Sequence, residues 1–160
     1  MSNDCFYILL SLILLRVIIF HQYLYENGFP EWDNYADEKL AKLKEIIKVH
    51  KENIKVAYDE GVNIVMGTDS GVIPHGHNLK ELINLVDLGM KPKEAIASAT
   101  TKAAEFLGRD DIGSIYEGKC ADMIFVERNP IIDIELLTDP NNITGVIQDG
   151  KEVKNRCGVM

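Results

Sequence analysis

The spacing of apolar residues predicts a long helix after a turn at Gly28-Phe29-Pro30. The apolar positions of this helix recur on one face, at Leu40, Leu43, Ile47, Ile54 and Ala57. Asp37 is placed to cap its N-terminus, and Gly61 is placed to end it. His50 lies on or beside the same face, where we expect a packed histidine because no second metal ligand stands one turn away.

A short apolar segment, Val62 to Met66, has the composition of a buried parallel strand. It leads directly into the loop Gly67-Thr68-Asp69-Ser70-Gly71, which precedes another amphipathic segment. The order of helix, strand, loop and helix is typical of a βα barrel or a doubly wound sheet. The sequence therefore predicts an α/β fold for this half of the chain.

Three shorter helices are predicted next. The apolar positions of the first are Leu79, Leu82, Ile83 and Val86, and Gly89 ends it. Pro92 fits the first turn of the second helix, which Lys93 to Ser98 completes. Thr100 is placed to cap the third, Thr101 to Leu107.

Close packing and a helix end are also predicted for this last helix. The pair Ala103-Ala104 permits a close neighbour, and Gly108 marks the C-terminus. From Gly113 onward the pattern changes to short strands separated by turn dipeptides. The segments concerned are Gly113-Ser114-Ile115, Glu117-Gly118-Lys119, Met123 to Val126, Asn129-Pro130, Ile143 to Ile147 and Asp149-Gly150. A small β-rich module thus follows the α/β part.

The N-terminal segment Phe6 to Tyr25 is strongly apolar and has about the length of a membrane-spanning helix. Arg16 in its middle opposes insertion, and the flanking residues do not fit a signal peptide. Ile13 to Phe20 is instead rich in β-branched residues, which favours a buried parallel strand. The residues of this segment are compatible with two alternatives, a barrel strand and a membrane anchor.

The composition of the chain argues against one class of binding partner. A net charge of −8 and a pI near 5.0 argue against nucleic acid, because phosphate binding draws on clustered Lys and Arg. We expect an acidic cytoplasmic protein. Cys5, Cys120 and Cys157 show neither a disulfide framework nor a zinc-knuckle spacing, so we expect reduced thiols. At 160 residues the chain is short for a complete barrel enzyme, which needs about 250.

Asp69 is the leading candidate for chemistry. It follows an apolar strand and is flanked by small residues, and ligands and catalytic groups of α/β proteins collect at the carboxyl ends of strands. A helix cap or a turn is the alternative role for an aspartate in such a place.

Several motifs occur in a distinctive order, namely GTDSG, PHGHNLKEL, LVDLGMKPKEAIASATTKAAEFLG, IGSIYEGKCADMIFVERNPIIDI and VIQDGKEVK. Together they resemble the C-terminal part of the metal-dependent amidohydrolase superfamily, in the group of imidazolonepropionase-like and Xaa-Pro dipeptidase-like hydrolases. The resemblance covers roughly residues 37 to 154. It implies a (β/α)8 barrel that binds one or two divalent metals, followed by strands of a small β-sandwich.

The same resemblance implies roles for individual residues. Asp69 would end the eighth barrel strand, ligate the metal, with zinc the expected ion, and pass a proton from a metal-bound water to the leaving nitrogen. His75 would lie near the substrate, a small molecule with an amide-type carbon–nitrogen bond; a loop histidine bonded to backbone is the alternative. Asp122, in Gly118-Lys119-Cys120-Ala121-Asp122, would be a structural turn residue.

Most of the family's metal ligands have no counterpart in this chain. The one His-x-His pattern, His75-Gly76-His77, follows the GTD loop, whereas the family's pair follows the first strand. A catalytic zinc needs about three protein ligands. The sequence is thus interpreted as a truncated amidohydrolase, inactive alone. A non-catalytic interaction protein, a membrane-anchored remnant and a homo-oligomer are the alternatives.

This interpretation divides the chain into four parts. Residues 1–25 are the apolar N-terminal segment, and residues 26–108 are the C-terminal part of a hydrolase barrel. Residues 109–154 are sandwich strands, and residues 155–160 form a tail.

Overall fold

A computed structural model describes residues 36–68 and 76–155 of the chain. The predicted turn at Gly28-Phe29-Pro30 and both hypotheses for Phe6 to Tyr25 lie outside the described residues. So do the two candidate site residues, Asp69 and His75, and the thiols of Cys5 and Cys157. Within the described ranges, no helix is long and apolar enough to cross a membrane.

The predicted long helix is present as α1, Ala36–Asp59. Leu43 and Ile54, both on its predicted apolar face, are buried. Gly61 ends the helix as predicted, with a φ of 75° that favours glycine. The cap prediction is wrong, because the helix begins at Ala36 and so places Asp37 inside the first turn. There its carboxylate still favours the helix, since the N-terminal end carries partial positive charge.

The segment Val62 to Met66 is not a strand, which corrects the prediction. Ile64 and Val65 are buried, as a core strand would be. A strand also needs a neighbour for its backbone hydrogen bonds, and no strand of the described residues runs beside this segment. Its backbone is bonded to helices instead: the N–H of Val62 donates to the carbonyl oxygen of Ala57 at 2.9 Å, and the N–H of Met66 donates to that of Ser98 at 3.0 Å.

Three short helices follow, as predicted. They are α2, Lys80–Asp87, α3, Pro92–Ser98, and α4, Thr101–Phe106. Pro92 occupies the first turn of α3. Thr100 stands at the N-cap position of α4 but makes no side-chain cap bond, so its predicted capping role is wrong. Its hydroxyl instead donates to the carbonyl oxygen of Ile96 at 2.9 Å, which competes with capping.

One hydrophobic core joins these elements. The buried members of this core are Ile54, Ile64, Leu82, Leu85, Met90, Ala95, Ile134 and Leu137. Ile134 and Leu137 come from a 3-10 helix, Ile134–Thr138, that the hydrophobic pattern did not predict. Residues that follow the first sheet strand therefore pack in the same core as the helices.

The β-rich module is a three-stranded antiparallel sheet with the order β1-β2-β3. The strands are β1, Met123–Val126, β2, Ile143–Gln148, and β3, Lys151–Asn155. Asp149 and Gly150 form the two-residue turn between β2 and β3, with φ values of 49° and 71°. Positive φ at both positions is the geometry of a type I′ hairpin turn. The strands and turn predicted for Met123 to Val126, Ile143 to Ile147 and Asp149-Gly150 are confirmed.

Candidate functional site

The described residues on either side of the GTD loop belong to one packed unit. Before the loop, the segment Val62 to Met66 is attached to α3 by the hydrogen bond from the N–H of Met66 to the carbonyl oxygen of Ser98. After the loop, the N–H groups of Lys80 and Glu81 donate to the carbonyl oxygens of His77 and Asn78, at 3.1 and 3.2 Å. Both flanks of the loop are therefore fixed by backbone bonds to helical elements.

Glu81 is the most unusual side chain of this region. It lies in the first turn of α2 and is fully buried, with 0% of its surface exposed. The side-chain amide of Asn84 donates to Oε2 at 2.9 Å, whereas Oε1 has no hydrogen-bond partner among the described residues. Isolated carboxyl oxygens are expensive to bury, and the cost is lowest when the carboxyl group is neutral.

The electrostatics of Glu81 follow from its burial. Loss of solvent raises the pKa of this carboxyl group from 4.5 to about 8, although the Asn84 hydrogen bond and the charge of Lys51 both lower it. Glu81 is therefore protonated at neutral pH and has a hydroxyl hydrogen to donate. A buried carboxyl group with a perturbed pKa is a candidate functional residue.

The hydrophobic pattern of the sequence does not indicate Glu81. It places Leu82, Ile83 and Val86 on the core face of the helix, but the buried residues of α2 also include Glu81 and Leu85. Glu81 and Leu85 are four positions apart and so share one side of the helix. A glutamate four positions before a leucine of the same helix is the sequence signal that could have indicated Glu81.

A second contact links α1 to α3 close to this region. The hydroxyl of Tyr58 donates a short hydrogen bond to Oε2 of Glu94. This bond raises the pKa of the Tyr58 hydroxyl and lowers the pKa of the Glu94 carboxyl group. These shifts keep the Tyr58 hydroxyl protonated and the Glu94 carboxyl group ionised. The contact therefore acts as a structural link between the two helices.

Asp122 has the structural role that the resemblance implied. Its Oδ1 accepts a hydrogen bond of 2.7 Å from the N–H of Asp149, in the hairpin turn. The N–H of Gly150 donates to the carbonyl oxygen of Ala121 at 3.1 Å. The Gly-Lys-x-Ala-Asp motif thus holds the turn between β2 and β3.

The same motif is attached to the loop after α4. The N–H of Cys120 donates to the carbonyl oxygen of Asp111 at 2.8 Å. Arg109 binds the Asp111 carboxylate through two nitrogens, each at 2.5 Å, and lowers the pKa of that group to about 2. Cys120 is a free thiol, and desolvation followed by the charge of Asp111 raises its pKa.

We expect Asp122→Ala to destabilise the protein by about 1 kcal/mol, because it removes one exposed hydrogen bond from the hairpin turn. Asp122→Asn keeps an oxygen acceptor in the same place and serves as the matched control. Urea denaturation of both variants measures the difference. Equal losses in the two variants would contradict the role assigned to the oxygen.

The described residues contain no group of three His, Cys, Asp or Glu side chains that could hold a metal ion. His77, which follows the GTD loop, is exposed, and it belongs to no such group among the described residues. The described part of the chain therefore does not by itself fit a catalytic metal, which needs about three protein ligands.

Comparison with known proteins decides the family. The sequence profile of the Amidohydrolase family matches residues 8–153. The chain belongs to this family. This confirms the family that the order of motifs indicated in the sequence. The matched residues include the GTD loop.

Individual amidohydrolases support the assignment. Over 135 residues the chain is 35% identical to an ochratoxinase of Aspergillus niger. The aligned residues make up 82% of this chain and 27% of that protein. It is 30% identical over 94 residues to an imidazolonepropionase of Halobacterium salinarum, covering 56% of the chain and 22% of that protein. The chain thus spans about a quarter of the curated relatives it matches.

Solved structures give the same result. A Xaa-Pro dipeptidase with bound methionine superposes with a TM-score of 0.73 at 35% identity, covering 90% of this chain and 34% of that chain. The Aspergillus niger ochratoxinase structure superposes with a TM-score of 0.72 at 32% identity, covering 88% and 32%. These likenesses agree with the α/β class predicted from the sequence.

Proposed function

We propose that this chain forms part of a metal-dependent hydrolase, which cleaves carbon–nitrogen bonds in small amide-type substrates, including dipeptides. The match of the Amidohydrolase family to residues 8–153 carries this proposal. The names of the similar proteins support it, since ochratoxinase, imidazolonepropionase and Xaa-Pro dipeptidase are all hydrolases. An acidic chain of this kind fits the cytoplasm.

In this proposal Asp69 is the residue of the chain that takes part in the chemistry. Its carboxylate would ligate a divalent metal, with zinc the expected ion, and would hold and return a proton. A bound metal of this type lowers the pKa of water to about 7 and polarises the scissile carbonyl. His75, six residues further on, would contact the substrate.

The chain needs further ligands for this activity. The sequence has four histidines, and its single His-x-His pattern lies after Asp69. We infer that the chain is inactive alone and that the remaining ligands come from another polypeptide segment, in a second copy or in a longer protein. The barrel strands that precede Asp69 in the family would be supplied in the same way.

We expect Asp69→Ala to weaken zinc binding by at least about tenfold, since losing even an indirect partner of a bound metal costs that much. Calorimetric titration of the purified chain with zinc measures the affinity, and elemental analysis after dialysis measures the content. Asp87→Ala is the matched control, because Asp87 is an exposed aspartate at the end of α2. Its zinc binding should equal that of the wild type.

The opposite result has a defined meaning. If the wild type binds zinc no better than Asp69→Ala, Asp69 is not a metal ligand in this chain. That result contradicts a site completed by a second copy, and it favours the alternative of a non-catalytic family member that acts through its contacts with other proteins. If binding depends on Asp69, a panel of amides and dipeptides tests hydrolysis after the missing segment is supplied.

A further inference from the structure

One carboxyl oxygen of Glu81 has no use in the contacts described so far. The side chain is fully buried, and the amide of Asn84 donates to Oε2 at 2.9 Å. Oε1 has no hydrogen-bond partner among the described residues. A buried polar atom without a partner is costly, so folded proteins nearly always supply one. The partner of Oε1 is therefore expected outside the described ranges.

The Asn84 contact indicates which kind of partner Oε1 needs. Because the Asn84 amide donates, Oε2 is the accepting oxygen of the carboxyl group. Burial raises the pKa of this group to about 8, so it is protonated at neutral pH. A protonated carboxyl group has one O–H donor, and here the donor is Oε1. Its partner is then an acceptor, such as a backbone carbonyl oxygen.

The position of Glu81 in α2 indicates where this acceptor lies. Glu81 belongs to the first turn of the helix. A long helical side chain covers the turn that precedes its own Cα atom, which for Glu81 is the chain that enters the helix. Gly76, the first described residue after the GTD loop, stands five positions before Glu81. Residues 70–75 come directly before it.

The chain on both sides of this segment is tied to neighbouring helices. Before it, the N–H of Met66 donates to the carbonyl oxygen of Ser98, at the C-terminal end of α3. After it, the N–H of Glu81 itself donates to the carbonyl oxygen of Asn78. Helices α2 and α3 contribute to the same hydrophobic core. Of the ranges outside the described residues, 1–35, 69–75 and 156–160, only 69–75 is tied at both ends to these two helices.

We propose that Glu81 is a positioning residue, whose Oε1 hydroxyl donates a hydrogen bond to a backbone carbonyl oxygen of residues 70–75. The bond fixes the loop that carries Asp69 to the first turn of α2. Its importance for chemistry rests on the function proposed above, because a metal ligand works only in a fixed orientation. Its test measures the order of the loop and neither zinc binding nor activity, so the two proposals fail separately.

Hydrogen–deuterium exchange of the full chain at pH 6, followed by mass spectrometry, tests the bond. In Glu81→Met the side chain keeps its length but has no strong donor or acceptor. We expect this variant to exchange at least about tenfold faster than the wild type over residues 67–77, because the loop loses a buried hydrogen bond. Glu81→Gln should stay within about threefold of the wild type, since its amide offers Asn84 an oxygen and the loop an N–H donor.

A matched variant and an internal reference make the result specific. Asp87→Asn makes the same change from carboxyl to amide at an exposed residue of α2, so its exchange over residues 67–77 should equal that of the wild type. Helix α4, Thr101–Phe106, reports the stability of the fold in every variant. In Glu81→Met the exchange of α4 should accelerate clearly less than that of the loop.

Four results would overturn the proposal. Loop exchange in Glu81→Met within about threefold of the wild type shows that Glu81 does not hold the loop. Equal acceleration over the loop and α4 shows that Glu81 acts only on the stability of the whole fold. Fast loop exchange in Glu81→Gln as well as Glu81→Met contradicts donation by Oε1, because glutamine keeps a donor. A wild type whose residues 67–77 exchange as fast as an unfolded peptide has no loop fixed by such a bond.

Discussion

Glu81→Gln is expected to stabilise the protein at pH 8 and to flatten the dependence of its stability on pH. The folded state raises the pKa of Glu81 from 4.5 to about 8 because the carboxyl group is buried. Between these two values the folded state holds a proton that the unfolded state releases. The free energy of unfolding therefore falls as pH rises through this window, by a few kcal/mol in total.

The sign of the effect is set by the direction of the pKa shift. Below about pH 4.5 both states are protonated, so Glu81 causes no loss of stability there. Above about pH 8 both states are ionised, and the full cost of the buried charge is present. Glutamine has nearly the same shape and stays neutral, so the variant avoids this cost at every pH.

Urea denaturation at intervals from pH 5 to pH 8 measures this difference. The gain of Glu81→Gln over the wild type should increase with pH and be largest at pH 8. Glu105→Gln is the matched control, because Glu105 lies on α4 and is exposed, and its curve should follow the wild type. Parallel curves for Glu81→Gln and the wild type would show that Glu81 does not hold its proton.

The sequence predicted the helix ends better than the helix starts. Gly61, Gly89 and Gly108 all adopt positive φ beyond the ends of their helices, and this conformation depends on a local property of glycine. Asp37 and Thr100 were assigned as caps, but one lies inside its helix and the other binds Ile96 instead. Side chains such as these choose among several backbone partners, which spacing alone does not decide.

Elements that depend on distant neighbours were harder to predict. Val62 to Met66 has strand composition, yet within the described residues it has no neighbouring strand with which to form a ladder. The 3-10 helix Ile134–Thr138 is too short for its period to appear in the sequence, although Ile134 and Leu137 enter the core. Pairing and tertiary packing determine both segments.

The candidate site was predicted as a family motif and not as a set of contacts. The collinear segments around the GTD loop indicated an amidohydrolase, and the match to residues 8–153 confirms this. The roles of Asp69 and His75 stay predictions, since both residues lie outside the described ranges. Glu81 was missed because its importance arises from burial, which follows from how α2 packs and which the hydrophobic pattern placed on other residues.

Gly113→Ala is expected to destabilise the protein by about 2–5 kcal/mol. A Cβ atom at Gly113 would lie 2.7 Å from Cβ of Ala104 and 2.8 Å from the carbonyl oxygen of Thr100. One neighbour is a buried helix residue and the other is backbone, so neither can move cheaply. Gly113 also has a φ of 83°, which costs an L-residue about 1–2 kcal/mol, and the steric overlap adds about 1–3 kcal/mol.

Gly118→Ala separates these two costs because it shares the backbone strain and lacks the overlap. Its φ is 86°, but a Cβ there would meet nothing within 4 Å. Urea denaturation of both variants should therefore give a loss of about 1–2 kcal/mol for Gly118→Ala and a clearly larger loss for Gly113→Ala. That difference would measure the close packing that the Ala103-Ala104 pair predicted. Equal losses would show that the loop at Gly113 moves away from α4 at no cost.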